Sequence, residues 1–113
     1  MRIVSKNQAI AHHNSPDCAV LEYPFGDPDI NGAVSRLNGR YPAQGFVTNT
    51  SCKEMAYVIE GSGKLVVEST EYCFSKGDML LIAAGEKYYW EGHMTLFLAC
   101  TPAWYPEQHK NYP

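Results

Sequence analysis

The 113-residue sequence predicts an all-β fold, an antiparallel sandwich or barrel, on three observations. Short apolar or alternating segments recur from Cys18 to Cys100, and glycine, proline or asparagine separates them. No window holds a sustained helical period of apolar residues. Glycine-marked turns at such regular spacing do not fit an alternation of strands and helices.

The first seventeen residues (1–17) are polar and contain His12-His13-Asn14-Ser15-Pro16, so they are expected to form an irregular arm or a first edge strand. Strands are then expected at 19–23, 33–37, 45–50, 55–60, 64–68, 71–75, 79–83, 87–91 and 94–101. Gly61-Ser62-Gly63 and Gly92-His93 read as hairpin turns, because glycine supplies the positive φ that tight hairpins need. Lys76-Gly77-Asp78 and Ala84-Gly85-Glu86 read as two more, while Phe25-Gly26-Asp27-Pro28-Asp29 and Arg40-Tyr41-Pro42 read as loops. Residues 102–113 combine proline with Trp104, Tyr105 and Tyr112, which suits an extended strap on the barrel or on a neighbouring subunit better than an interior strand.

A chain of this length supports one core and one domain. Its net charge of −3 and its singly scattered lysines point to neither a nucleic-acid nor a membrane partner. The longest apolar run, Met79 to Ala84, is far shorter than a membrane span, and the N-terminus lacks the apolar stretch of a signal peptide, so a cytoplasmic protein is expected. Four cysteines without paired C-x2-C spacing fit neither a zinc ribbon nor, in a reducing compartment, a disulfide framework; Cys73 and Cys100 are expected to be buried.

The stretch from Thr48 to Trp90 carries two ordered motifs. It runs T-N-T-S-C-K-E-M-A-Y-V-I-E-G, then fifteen residues, then G-D-M-L-L-I-A-A-G-E-K-Y-Y-W. This frame resembles that of the cupin superfamily, whose motifs are written G-x5-H-x-H-x3,4-E-x6-G and G-x5-P-x-G-x2-H-x3-N. Glu54 and Gly61 hold the second half of the first motif; Gly77 and Gly85 hold the frame of the second. In that register the two histidines fall on Thr48 and Thr50, the leading glycine on Pro42, the proline on Ala83, the last histidine on Tyr88 and the asparagine on Gly92. The resemblance implies a cupin-type double-stranded β-helix, an eight-stranded antiparallel jelly-roll barrel with a central pocket. Of the four metal ligands that the family usually carries, it leaves Glu54 alone.

Neutral imidazoles and one carboxylate suit a divalent transition metal, whereas threonine hydroxyls and a phenol are poor substitutes, so no metal and no cofactor is expected. Strand alternation places Thr48 and Thr50 before Glu54, and Ala56 and Val58 after it, on the face that Glu54 turns into the barrel, and the register of the resemblance agrees. Burial raises the pKa of such a carboxyl and makes it a usable proton carrier. Tyr88 can hydrogen-bond Glu54 or a ligand, and Trp90 shares its face. Arg40, ahead of the first motif, is a candidate for holding an anion at the mouth. Cys52 beside Lys53 is a weaker candidate, since no histidine base accompanies it; His93 and His109 read as solvated.

The expected function is therefore metal-independent binding of a small polar metabolite or sugar by Thr48, Thr50, Glu54, Tyr88, Trp90 and Arg40. The alternatives are a cofactor-free isomerase or lyase, in which Glu54 moves a proton and Tyr88 hydrogen-bonds an oxyanion, and a metal enzyme with non-standard ligands drawn from Cys52, Glu54 and His12 or His13. A homodimer is the expected assembly.

Overall fold

Alternation between apolar and polar side chains shapes every long strand of the computed structural model, which describes residues 1–113. There are nine strands and no α-helix: β1 (Ile10–Ser15), β2 (Cys18–Tyr23), β3 (Asn31–Tyr41), β4 (Phe46–Asn49), β5 (Lys53–Val67), β6 (Thr70–Ser75), β7 (Met79–Ile82), β8 (Tyr88–Thr101) and β9 (His109–Tyr112). All pair antiparallel in one curled sheet with the order β1-β2-β3-β8-β4-β9, while β5 lies along the other side of β8 and carries β6 and β7 on its far edge. The inner face packs Val20, Leu37, Val47, Val58, Leu65, Ile82 and Leu96 into one core. The all-β barrel expectation holds.

Nine segments were expected and nine strands are found, but they are not the same nine: two expected pairs merge into β5 and β8, while β1 and β9 are added at the ends. Gly61-Ser62-Gly63 and Gly92-His93 are not hairpins but lie inside β5 and β8, two continuous strands that pair with Gly63 opposite Gly92. A Cβ on Gly63 would sit 2.5 Å from the Glu91 carbonyl oxygen, and one on Gly92 would sit 2.5 Å from the Gly63 Cα. Glycine is thus needed there for the close approach of two paired backbones, not for chain reversal. Lys76-Gly77-Asp78 does reverse the chain, with Gly77 at φ +93° and the Asp78 carboxylate accepting from the Ser75 N–H at 2.8 Å.

The polar N-terminal arm becomes edge strand β1, paired along β2. The loop reading of Arg40-Tyr41-Pro42 is corrected, since β3 continues through Tyr41 and pairs it with Trp90. The C-terminal strap leaves β8, crosses the barrel mouth through Trp104, makes one 3-10 turn at Pro106–Gln108 and ends as β9 along β4. Gln108 is fully buried and its Oε1 accepts from the N–H groups of Ser51 and Cys52 at 3.0 and 2.8 Å, which fixes the turn between β4 and β5. No helix is long and apolar enough to cross a membrane.

Candidate functional site

The inward faces of β2, β3, β4, β5 and β8 enclose a cavity of about 130 Å³ at the barrel mouth. Its apolar lining includes Val20, Ala33, Leu37, Leu96 and Leu98; its polar groups include Glu54, Tyr41, Asn49, Tyr88, His109 and the indole of Trp104, with Glu22 on β2. Pockets of this composition, mostly apolar with a few convergent polar groups, are the usual form of a small-molecule site.

Glu54 enters from β5 by strict alternation: it is 8 % exposed, and Ala56 and Val58 on the same face are 0 % exposed. Its one side-chain hydrogen bond comes from the Cys100 thiol, which lies opposite on β8 at 3.5 Å from Oε1. Burial pushes the Glu54 carboxyl up to about 7 against the smaller opposing effect of that thiol. The Cys100 thiol is itself pushed far up by its hydrogen bond with Cys52, by burial and by the Glu54 charge. Both cysteines are buried thiols without a disulfide.

Tyr88 and Trp90 project from β8 into the same cavity, in T-shaped contact with ring centroids 6.4 Å apart, and Phe74 backs Trp90 at 5.7 Å. No hydrogen bond joins Tyr88 to Glu54; the phenol oxygen instead accepts from Asn49 Nδ2 at 3.4 Å. Burial, then the Glu54 charge, raises the Tyr88 phenol well above its ordinary value. The two residues expected to carry chemistry therefore face one space without neutralising each other.

Thr48, Thr50 and Arg40 lie off the cavity. The period of two that placed the threonines with Glu54 assumes an unbroken strand, but β4 ends at Asn49 and a turn intervenes before β5. Phase is lost there, so Val47 and Asn49 face inward while Thr48 is buried on the opposite side with its hydroxyl unpartnered. Thr50 is exposed in the turn, and its hydroxyl donates to the Gln108 carbonyl at 3.3 Å. Arg40 alternates with the inward Tyr41, stacks 3.8 Å over the Tyr89 ring and donates to the carbonyls of Pro42 and Gly45.

Among the cavity residues not expected from the sequence, Tyr41, Asn49, Trp104 and His109 form one hydrogen-bonded chain. Asn49 Oδ1 accepts from Trp104 Nε1 at 2.9 Å and lies 2.7 Å from His109 Nδ1, whose Nε2 lies 2.7 Å from the Tyr41 hydroxyl. Burial lowers the His109 pKa, and burial reinforced by the Cys18 and Glu54 charges pushes Tyr41 up to about 12. The solvated reading of His109 is thus corrected: the strap folds it into the barrel. Its aromatic content was the available signal, since a tail rich in Trp and Tyr must find cover. Cys73 is also corrected, for it lies exposed on the outer side of β6.

Nowhere do three or more His, Cys, Asp or Glu side chains gather in metal-holding geometry. His12 and His13 sit on the edge strand, with His12 3.7 Å from Glu22, and Cys52 has Cys100 rather than a histidine beside it. The donor set left around Glu54, a thiol and a phenol, does not fit the fold family's usual metal site.

Residues 42–97 match the family model of the EutQ-like cupin domain, a span that begins ahead of β4 and ends within β8. No curated protein matches the chain in sequence. Among solved structures, Pac13, described as a unique nucleoside dehydratase, superposes with a TM-score of 0.90 at 14 % identity, covering 99 % of this chain and 91 % of that one. Variants of this Streptomyces protein have been solved with uridine. The polyketide cyclase RemF of Streptomyces resistomycificus superposes with a TM-score of 0.76 at 14 % identity, over 100 % of this chain and 86 % of its own. An RmlC-like cupin of Shewanella frigidimarina does so at 0.74 and 14 %, over 91 % and 92 %. With the curled antiparallel barrel, the surviving glycine and glutamate frame and the matched family span, the chain belongs to the cupin superfamily.

Proposed function

We propose that this cupin binds a small polar metabolite or sugar in its barrel cavity without a metal. The observation that carries the reading is the burial of one carboxyl, Glu54, among the phenols of Tyr41 and Tyr88 and the side chains of Asn49, His109 and Trp104 at the mouth of an otherwise apolar barrel. A buried carboxyl with a weak thiol partner is costly to a fold that needs only a core, which favours a role at a ligand. Native mass spectrometry after incubation with a library of nucleosides and sugars tests it: a one-to-one adduct without stoichiometric metal is expected. A transition metal retained in one-to-one ratio with the chain contradicts the metal-free part.

A second reading is a cofactor-free lyase. Near neutrality Glu54 exchanges its proton readily, so it can give one to a leaving hydroxyl or take one from carbon, while the Tyr88 hydroxyl donates to a developing oxyanion. The resemblance in shape to a nucleoside dehydratase favours this reading over an isomerase. Release of water from a bound nucleoside or sugar, abolished in Glu54→Gln, is its test.

The working form is a cytoplasmic homodimer that pairs through the outer face of β5, β7 and β8. There Tyr57 lies between Met79 and Phe97, and Met55 between Leu81 and Ala99, as a contiguous exposed apolar patch.

A further inference from the structure

Trp104 sets the direction of the hydrogen bonds at the polar end of the cavity. An indole N–H can only donate, so the Asn49 atom that meets it at 2.9 Å is the amide oxygen. That oxygen can only accept, so the His109 Nδ1 that meets it at 2.7 Å carries the hydrogen. In a neutral imidazole Nε2 is then bare, and the Tyr41 hydroxyl 2.7 Å away must donate to it. The Asn49 amide nitrogen, turned the other way, donates to Tyr88 Oη at 3.4 Å.

Two consequences follow for the open space between them. Tyr41 has spent its hydrogen on His109 and presents only lone pairs, whereas Tyr88 receives a hydrogen from Asn49 and keeps its own free. The cavity is thus an acceptor at Tyr41 and a donor at Tyr88. No lysine or arginine is among the residues that line it, and its two carboxyl side chains are Glu54 inside and Glu22 on β2. Burial keeps the one imidazole neutral. An anion placed there meets two carboxyl groups and no lysine or arginine, at a desolvation cost that no cation offsets.

We propose that the cavity takes an uncharged hydroxylated ligand that donates a hydrogen bond to Tyr41 Oη and accepts one from Tyr88 Oη, and that it rejects phosphorylated or carboxylated forms of the same ligand. The proposal rests on the reading of the cavity as a ligand site and names the class of ligand. It also gives the C-terminal strap a purpose, because Trp104 and His109 are the residues that orient the two phenols.

The experiment titrates the full chain with ribose, uridine and uridine monophosphate while following the indole N–H resonances of Trp104 and Trp90, and reads the ring nitrogens of His109 in isotope-labelled protein without ligand. Ribose or uridine should bind, and uridine monophosphate should bind at least about tenfold more weakly. Tyr41→Phe should weaken the uncharged ligand by up to about tenfold; if that variant does not fold, Tyr88→Phe carries the same test. His109 should be the neutral tautomer with hydrogen on Nδ1. Equal or tighter binding of the monophosphate overturns the ligand class while leaving the cavity a ligand site. Hydrogen on Nε2, or unchanged affinity in the phenylalanine variant, overturns the assigned polarity. Failure of all three compounds to bind removes the ligand-site reading and this inference with it.

Discussion

Trp104 Nε1 donates to Asn49 Oδ1 at 2.9 Å, and through that bond the C-terminal strap becomes part of the barrel interior. The strap follows with β9 along β4 and with Gln108 beneath the turn between β4 and β5. Cutting the strap therefore removes a wall of the cavity, an edge strand and the partner of two backbone N–H groups together.

Gln108→Ala is expected to destabilise the fold by about 1–3 kcal/mol, because the N–H groups of Ser51 and buried Cys52 lose their acceptor. Denaturant unfolding measures this. A loss within about 0.5 kcal/mol would show that water or a backbone shift replaces the Gln108 amide.

Stability should depend on pH through Glu54. Its folded-state pKa of about 7 lies above the ordinary 4.5, so between those values the folded chain holds a proton that the unfolded chain has released. That contribution is complete at acid pH and is lost as pH rises through the window, by about 3 kcal/mol in all. Glu54→Gln cannot titrate. Wild type and variant should be similarly stable at about pH 5, and the variant more stable at about pH 8; equal stability at both would place Glu54 in a more hydrated setting than the structure gives.

Thiol labelling should separate the four cysteines. Cys73 is exposed and should react with a maleimide in the native protein, while Cys18, Cys52 and Cys100 are buried and should react only on unfolding. Mass spectrometry counts the adducts, and a second native adduct would reveal opening of the barrel mouth.

The outer sheet face should carry the dimer. Met79 and Leu81 are 61 % and 60 % exposed on β7, beside Met55 and Tyr57 of β5. Leu81→Glu adds a charge on the β7 side of this patch and should lower the mass found by light scattering to that of one chain without unfolding it. An unchanged mass would direct attention to another surface.

The barrel and the inward direction of Glu54, Ala56, Val58, Tyr88 and Trp90 were legible in the sequence because each rests on alternation within one strand. Thr48 and Thr50 failed for the same physical reason in reverse, since side-chain phase does not survive the turn at 50–52. The glycines at 61, 63 and 92 signalled a special backbone but not which kind: a close approach of two paired strands and a hairpin both ask for residues without a Cβ. Tyr41, Asn49, Trp104 and His109 meet only through the path of the strap, a long-range placement that no local pattern encodes.

The central claim is that Glu54 is kept for a ligand and not left behind as a buried relic, and one pair of measurements on Glu54→Gln tests it directly. The melting temperature and the affinity for the tightest compound from the nucleoside and sugar library are read on the same samples of wild type and variant. The account predicts a variant at least as stable near neutral pH that has lost binding, because the amide removes the desolvation cost and with it the exchangeable proton. Unchanged affinity in a folded Glu54→Gln would contradict it.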